Sequence, residues 1–492
     1  MAAGAVLSRI PMELSCKANG LGSMRVGRLS TLLAFQVTTV YPRLPRSHRG
    51  ASTSVISNHI GRSYDCPGHP LAGSSSGRRG FLSTSSAAAA AAAMAETVPE
   101  LKKQVLLPIA NGSEEMEVVI TADILRRAGA DVTLASVEKD LEIAASRNVK
   151  LVADTLISSC EDQCYDLIVL PGGMPGATRL RDSDVLQKLT QAQVQANRLN
   201  AAICVAPALV LESWGLLSGL KATCHPAFTE KLSNFEAGSR VVRDGSTTTS
   251  QGPGTAFEFA LSLVEQLYGK EKLQEVSAPL VFQYDAALKP FALEYNLKEW
   301  KFTVPGKAFQ VLVPIANGSE EMEIVIIVDV LRRAGFKVVV ASVEKELQIC
   351  ASRNVKIVAD QFLREVPVAE LDMIILPGGM PGAERLRDCA TLSKLLSRQL
   401  EVKKPLGAIC AAPAVVFEAK GLLKGKKATS HPAFSGKLSD QSAVEGRVVI
   451  DGFTITSRGP GTAMEFALSI VGKVAGQSRA RMIADSMVLP YA

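Results

Sequence analysis

The feature that most constrains this chain is that it says nearly everything twice. "VLLPIANGSEEMEVVI" at 105–120 returns as "VLVPIANGSEEMEIVI" at 311–326. "LPGGMPGATRLRD" returns as "LPGGMPGAERLRD", and "ATCHPAF" as "ATSHPAF". The offset is 206 residues for Glu117 and Glu323, for Cys204 and Cys410, and for His225 and His431. A single inserted residue later moves it to 207, between "GPGTAFEFALSLV" and "GPGTAMEFALSIV". A period this long cannot be a solenoid unit; it requires two tandem domains. With 492 residues the chain exceeds what one hydrophobic core serves, which agrees. The expected boundaries are 103–284 and 307–492, joined by a linker at 285–306 whose periodicity is weaker and which has room for a strand or helix belonging to either domain.

The segment before the first copy is of a different kind. Residues 1–98 are rich in arginine and serine and poor in acids, and they run into "STSSAAAAAAAMAE". Within residues 1–95 ten Lys and Arg face two acids, a surplus of eight, so the total of +6 leaves the remainder at −2. The chain's basicity therefore belongs to the leader, and the repeats carry no electrostatic footprint for nucleic acid. Such a leader reads as an organellar transit peptide, for plastid or mitochondrion, or as a disordered tail. Met94 offers an internal start that would give a cytosolic form. No run approaches the roughly 18 apolar residues of a membrane span. Nine cysteines are sparse for this length, suggest no disulfide framework and fit a reducing compartment.

Within each copy, short apolar runs alternate with helical patterns. "QVLLPIA", "DVTLAS", "YDLIVLPGG" and "LNAAIC" read as buried strands. Residues 115–128 place Val118, Ile120, Ile124 and Leu125 mostly on one helical face, and Gly129 ends that helix. "RVVRDGSTTTS" carries a hairpin signal, and "GTAFEFALSLVEQLYG" closes the copy as a helix. Strand and helix in alternation, with continuous apolar strands, predict an α/β sandwich around a mainly parallel sheet. In such sheets reactive groups gather at the carboxyl ends of the strands.

Cys204 stands at such an end, between the strand "LNAAI" and a helix opening near Pro207. Small neighbours permit a sharp turn that lifts the thiol from the sheet, as in a nucleophile elbow. A helix amino terminus behind it would favour the thiolate and lower the thiol pKa. The alternative is a buried structural cysteine, copied with the rest of the repeat. Glu114, Glu115 and Glu117 crowd the start of the first helix. Dipole complementarity and solvation account for the first two; Glu117, next to the apolar Val118, is expected to turn inward as a proton-bearing carboxyl. Gly172 and Gly173 follow a buried strand, so their N–H groups are candidates to hold an oxyanion, or they form a plain tight turn. His225 and His431 are candidate proton carriers or structural hydrogen-bonders. No metal-ligand cluster and no phosphate-binding glycine loop is evident.

Together, "GSEEMEVV", "LPGG", "AAIC", "HPAF" and "GPGTAFEFAL" resemble the ThiJ/PfpI superfamily, in its Parkinson disease protein seven branch, over about 103–282 and 309–490. The tandem copies behind a leader resemble its plant members. The resemblance implies two flavodoxin-like (class I glutamine amidotransferase-like) α/β sandwich domains. It implies Cys204 and Cys410 as nucleophiles, and Glu117 and Glu323 as acid/base partners. His225 and His431 match the family's nearby histidine. The oxyanion donors it implies are Gly173 and Gly379 with the amides of Val205 and Ala411; Gly172 and Gly378 are grouped with them as substrate-binding positions. It further implies a glutathione-independent glyoxalase converting methylglyoxal or glyoxal to the 2-hydroxy acid, a lyase without cofactor or metal, with a redox-sensing or chaperone-like protein or a protein deglycase as alternatives. Val205 and Ala411 stand where the protease relatives carry a histidine, which argues against a protease. Family members pair such domains about a two-fold axis, so the copies are expected to form that pair within one chain, with association of whole chains left open. A small 2-oxoaldehyde is the expected partner, not nucleic acid or membrane.

Overall fold

A computed structural model describes residues 102–283, 292–300 and 307–491. The proposed leader, the internal start at Met94 and parts of the linker lie outside the described residues.

The first copy builds strands β1 (Gln104–Ile109), β2 (Asp131–Ser136), β3 (Glu142–Ala144), β4 (Lys150–Val152), β5 (Thr155–Leu156), β6 (Leu167–Leu170), β7 (Leu199–Ile203), β8 (Val241–Asp244) and β9 (Thr247–Ser250). Between them lie α1 (Glu115–Arg127), α2 (Gly176–Arg181), α3 (Asp184–Gln195), α4 (Ala256–Tyr268) and α5 (Lys270–Ser277). Seven strands form one sheet in the order β5-β2-β1-β6-β7-β9-β8. All neighbours are parallel except the β8–β9 hairpin. This is the α/β sandwich that the sequence pattern predicts, with the flavodoxin-like winding that the family resemblance implies. β6 is buried at every position because helices cover both faces, which is why it reads as an unbroken apolar run.

The second copy repeats the plan with α6 (Glu321–Arg333), α7 (Gly382–Asp388), α8 (Ala390–Glu401), the single turn α9 (Pro432–Ser435), α10 (Ala463–Ala475) and α11 (Gln477–Ser486). Its strands are β10 (Leu293–Tyr295), β11 (Gln310–Ile315), β12 (Lys337–Ser342), β13 (Gln348–Cys350), β14 (Lys356–Val358), β15 (Gln361–Phe362), β16 (Met373–Leu376), β17 (Leu406–Ile409), β18 (Val448–Asp451) and β19 (Thr454–Ser457). The linker supplies β10, which pairs in parallel with β18 and widens this sheet to eight strands. Trp300, also in the linker, is buried, and its indole N–H donates to the carbonyl of Gly452 at 2.9 Å.

The copies are joined through a third sheet of their own. β14 pairs antiparallel with β4, giving the order β13-β14-β4-β3. Beside it α1 packs on α6 as well as on α4. That double packing explains why α1 is buried from Glu115 to Leu125 rather than along one stripe. Gly129, at φ +95°, then ends the helix in the left-handed cap expected of it. Reciprocal arginines cross the seam: Arg126 Nη1 donates to the carbonyl of Arg353 at 2.9 Å, and Arg332 Nη1 to that of Arg147 at 2.8 Å.

Candidate active site

β1, β6 and β7 are neighbours, and the chain leaves β1 toward β2 on one side but later returns to β6 on the other. A crevice opens at the carboxyl ends of strands where the winding reverses in this way. Glu117 (after β1), Gly172 and Gly173 (after β6) and Cys204 (after β7) converge there.

Cys204 adopts φ +65° and Cys410 φ +62°, a left-handed conformation that a side-chain-bearing residue rarely takes. Holding it costs on the order of 1–3 kcal/mol, met by bonds on either side. The Cys204 N–H donates to the Ser250 carbonyl at 3.0 Å, and its carbonyl accepts from the His225 N–H at 2.7 Å. In the second copy the Cys410 carbonyl accepts from His431 N–H at 2.8 Å and from the Ser430 hydroxyl at 2.6 Å. The segment after the cysteine is a π-helical turn, Pro207–Leu211, rather than the regular α-helix expected.

Glu117 is fully buried, and its Oε2 accepts from the Gly172 N–H at 2.7 Å. Glu323 accepts from Gly378 N–H at the same distance. These amides are therefore spent on the glutamates, a correction to their expected place among the oxyanion-binding groups. Their lack of a side chain has a separate cause. A Cβ on Gly172 would lie 2.5 Å from Cys204 Cβ and 3.0 Å from both Cys204 Sγ and Glu117 Oε2. One on Gly378 would lie 2.6 Å from Cys410 Cβ and 3.0 Å from the Ala411 nitrogen. Glycine is what lets thiol and carboxyl approach. The next glycines lie beside the thiols: the N–H of Gly173 faces the Cys204 sulphur, and that of Gly379 the Cys410 sulphur, each drawing its thiol pKa down.

Burial pushes the Glu117 carboxyl up to about 8, against the pull of the Gly172 amide and Cys204, so it is protonated at neutral pH. Glu323 is likewise raised, by burial first and then by Glu320. The thiols depart from expectation. Burial, then the Glu117 and Glu114 carboxylates, push Cys204 well above its ordinary value; Gly173 pulls the other way without prevailing. Cys410 is raised by burial, then by Glu323 and Glu320. The helix terminus expected to favour the thiolate is outweighed here by burial and by the neighbouring carboxylates. Thiol and glutamate share their protons as one unit.

Glu114 and Glu115 are buried too, not solvated as their place at a helix start suggested. Glu114 Oε2 caps α1 by accepting from Glu117 N–H at 2.9 Å, and its Oε1 meets Arg333 of the other copy at 3.1 Å. In the mirrored position Arg127 meets Glu320 at 2.7 Å. Glu115 accepts from Ser146 Oγ at 2.7 Å and from the Arg147 N–H. Two groups of three carboxylates arise this way, Glu114–Glu115–Asp329 and Asp123–Glu320–Glu321. Each holds an arginine as counter-charge, Arg333 on Asp329 and Arg127 on Asp123.

A cavity of about 630 Å³ lies over Cys204, and one of about 230 Å³ over Cys410. Gly173, Val205 and His225 line the first; Gly379, Ala411 and His431 line the second. Both histidine rings are committed elsewhere. Nδ1 of His225 accepts from Ala227 N–H at 3.2 Å, and the ring bonds the Ser486 carbonyl of the second copy. Nδ1 of His431 accepts from Ala433 N–H at 3.2 Å, and its Nε2 bonds the Pro279 carbonyl of the first copy at 2.9 Å. In this geometry the histidines hold the tail of the opposite repeat, rather than standing free as proton carriers. Burial also keeps His225 below its ordinary pKa.

Sequence reasoning missed the walls that come from the opposite repeat. Arg333, Arg479, Met482 and Ser486 face Cys204, and Arg127 and Pro279 face Cys410. The doubled "LRRAG" that ends α1 and α6 was the available signal: a recurring pair of arginines at the end of a helix with a single aspartate, Asp123 or Asp329, one turn back.

The comparisons with known proteins fit this geometry. Protein DJ-1 homolog B of Arabidopsis thaliana is 50% identical over 399 residues, 81% of this chain and 90% of that protein. Protein DJ-1 homolog A of the same plant is 50% identical over 390 residues, 79% of this chain and 99% of that protein. Glutathione-independent glyoxalase DJR-1.2 of Caenorhabditis elegans is 34% identical over 181 residues, 36% of this chain and 94% of its own length. The profile of one family matches both repeats, over residues 103–266 and 309–473, and the chain belongs to that family, the DJ-1/PfpI family.

Proposed function

We propose that each repeat is a glutathione-independent glyoxalase acting on small 2-oxoaldehydes. The observation that carries this reading is the pairing of Glu117, buried and held at about 8, with the Cys204 thiol across Gly172. A carboxyl that titrates near neutrality beside a nucleophile can both give and take a proton. The carbon adjacent to a carbonyl is where such an exchange is useful.

The thiol sulphur bonds to the aldehyde carbon, and the oxygen of that carbon takes up the proton, giving a hemithioacetal. The N–H of Gly173, with that of Val205, steadies the oxygen while it is negative. The glutamate carboxylate removes the proton from the former aldehyde carbon and returns it to the neighbouring carbon. The hydroxyl proton moves from the first oxygen to the second, which leaves a thioester. Water then breaks the carbon–sulphur bond, releasing the 2-hydroxy acid and restoring the thiol. Glu323, Gly379, Ala411 and Cys410 do the same in the second repeat. His225 and His431 position the wall of the cavity. The two repeats serve as an intramolecular pair, and the leader directs the chain to plastid or mitochondrion.

The test is production of lactate from methylglyoxal by purified chain without glutathione. Turnover that persists in a Cys204→Ser/Cys410→Ser double variant would remove the thiols from the reaction. For the leader, a reporter fused to residues 1–98 should enter an organelle; a diffuse signal would refute the targeting role.

A second reading has its own support. The Gly173 N–H at the sulphur and the protonated Glu117 would equally hold the oxygens of an oxidised cysteine. Peroxide converting Cys204 to the sulfinic acid at concentrations that leave other free thiols untouched, with no aldehyde turnover in the reduced protein, would favour that reading.

A further inference from the structure

The two sites share their chemistry but not their walls. Each catalytic group has a counterpart 206 residues away, and so do Arg147 and Arg333 over Cys204, matched by Arg353 and Arg127 over Cys410. The difference enters with the element each site borrows. The Cys410 cavity receives Pro279, from the end of the first repeat. The Cys204 cavity receives a face of α11, whose sequence "GQSRARMIADS" has diverged from "GKEKLQEVS" in the first repeat. α11 brings Arg479 and Met482 to the rim of a cavity nearly three times larger.

Arg479 is the informative member. Its Nη2 donates to the Arg333 carbonyl at 2.9 Å, which orients the guanidinium at the cavity wall. No carboxylate among the described residues forms an ion pair with it. Arg333 is held by Asp329 and Glu114; Arg147 donates to the Ser146 carbonyl just as Arg353 over Cys410 donates to that of Ser352, so Arg479 is the cation by which the two sites differ. Glu114 is the one acid lining this cavity, and it is already bonded to Arg333 and to the Glu117 N–H. An oriented, half-buried guanidinium without an acid partner is a ready receptor for a carboxylate or phosphate.

We infer that the Cys204 site, through Arg479, takes 2-oxoaldehydes that carry an anionic group, whereas the Cys410 site serves the small neutral ones. This rests on the proposed glyoxalase chemistry for the reaction but not for the anion preference, and the two can be tested apart.

Reaction of the full chain with iodoacetate and with iodoacetamide, followed peptide by peptide by mass spectrometry, measures anion preference without any turnover. The iodoacetate-to-iodoacetamide rate ratio should be about fivefold higher at Cys204 than at Cys410, the effect of one additional nearby charge in a wet cavity. Arg479→Gln should bring the Cys204 ratio down to that of Cys410, and Arg479→Lys should keep most of it. Equal ratios in the unmodified protein, or a ratio untouched by Arg479→Gln, would overturn the inference. In parallel, Cys410→Ser and Cys204→Ser chains are compared on methylglyoxal and on 4,5-dioxopentanoate, a 2-oxoaldehyde with a carboxylate. The chain retaining Cys204 should show the higher relative kcat/KM for the charged substrate. Turnover of neither substrate by the unmodified chain would sink the glyoxalase reading while the alkylation ratios still decide the anion site.

Discussion

At the scale of single residues the site turns on two ionisations that oppose each other. The sequence suggests that Glu117 assists the thiolate; the geometry says that an ionised Glu117 opposes it, since its carboxylate is second only to burial in raising Cys204. Replacing Glu117 by glutamine keeps the size, leaves an oxygen to accept from Gly172 N–H, and removes the charge. The thiol should then ionise more readily, so Cys204 should alkylate faster near pH 8 than in the unmodified chain. Turnover at the same site, measured in a Cys410→Ser background, should nonetheless fall by about 10²–10⁴-fold, because no group remains to carry the proton between carbons. Alkylation and turnover moving in opposite directions distinguish an acid/base role from a merely structural one; a parallel fall in both would mean that Glu117 only keeps the thiol in place.

At the scale of elements, α1 and α6 do more than cover a sheet. Their first turns bury Glu115 and Glu321 at the seam, each pushed up to about 7, by burial above all. A carboxyl whose folded pKa lies above its unfolded value contributes stability that is fully present below about 4.5 and is lost as pH rises through the folded value. Thermal stability should therefore decline from pH 5 to pH 8 by a few degrees on this account. His225, held below its ordinary value, works in the opposite direction, so the measure is a difference: a Glu115→Gln/Glu321→Gln chain should lose less Tm over that interval than the unmodified one. An identical slope in both would show that these carboxyls are ionised in the folded state.

The same elements show which parts of the architecture were legible in the sequence. β1, β2, β6 and β7 stand where the apolar runs place them, and the Asp244–Gly245 signal does mark a hairpin, β8–β9, with Gly245 at φ +58°. β3, β4, β13 and β14 escape periodicity because three residues with one buried between two more open ones make no pattern, and what joins the two short hairpins is the pairing of β4 with β14 across the repeats. β10 is hidden for a similar reason: two of its three residues are exposed, so its apolar content says little. The end of the second copy has diverged from that of the first, yet α11 forms, since Ala480, Ile483 and Ala484 still present a buried face. Of the site, cysteine, glutamate and the second glycine of each pair were readable, because their chemistry is local to a strand end. The purpose of Gly172 and the inward carboxyls of Glu114 and Glu115 were not, because they depend on what packs against them from elsewhere in the chain.

At the scale of the whole molecule, each repeat finishes the other's site. The Met487 carbonyl accepts from Gly254 N–H at 2.7 Å, and the Val488 carbonyl accepts from Arg240 Nη1 at 3.1 Å. The end of the second repeat thus lies against the loop that opens α4 and, through Ser486, against His225. Reciprocally, the Val281 carbonyl accepts from Arg447 Nη1 at 3.0 Å, and Pro279 bonds His431. Two repeats that each own a cysteine, a glutamate and a glycine pair would seem free to act alone, and single-cysteine chains should indeed keep the activity of the remaining site. The crossed tails make a sharper claim about which site depends on which end. Removing Met487–Ala492 takes away Met487 and Leu489, both buried, and the support they give to Gly252 and Gly254 on either side of Pro253 in the wall over Cys204, while touching nothing that lines the cavity over Cys410. In that truncated chain the Cys204→Ser variant, which works through Cys410 alone, should keep its turnover. The Cys410→Ser variant, which works through Cys204, should lose at least about tenfold in kcat/KM, the consequence of a displaced wall and a wetter site. Its Cys204 should alkylate faster as water and reagent gain entry. If the truncation instead silences Cys410 and spares Cys204, each tail serves its own repeat and the crossed arrangement is wrong.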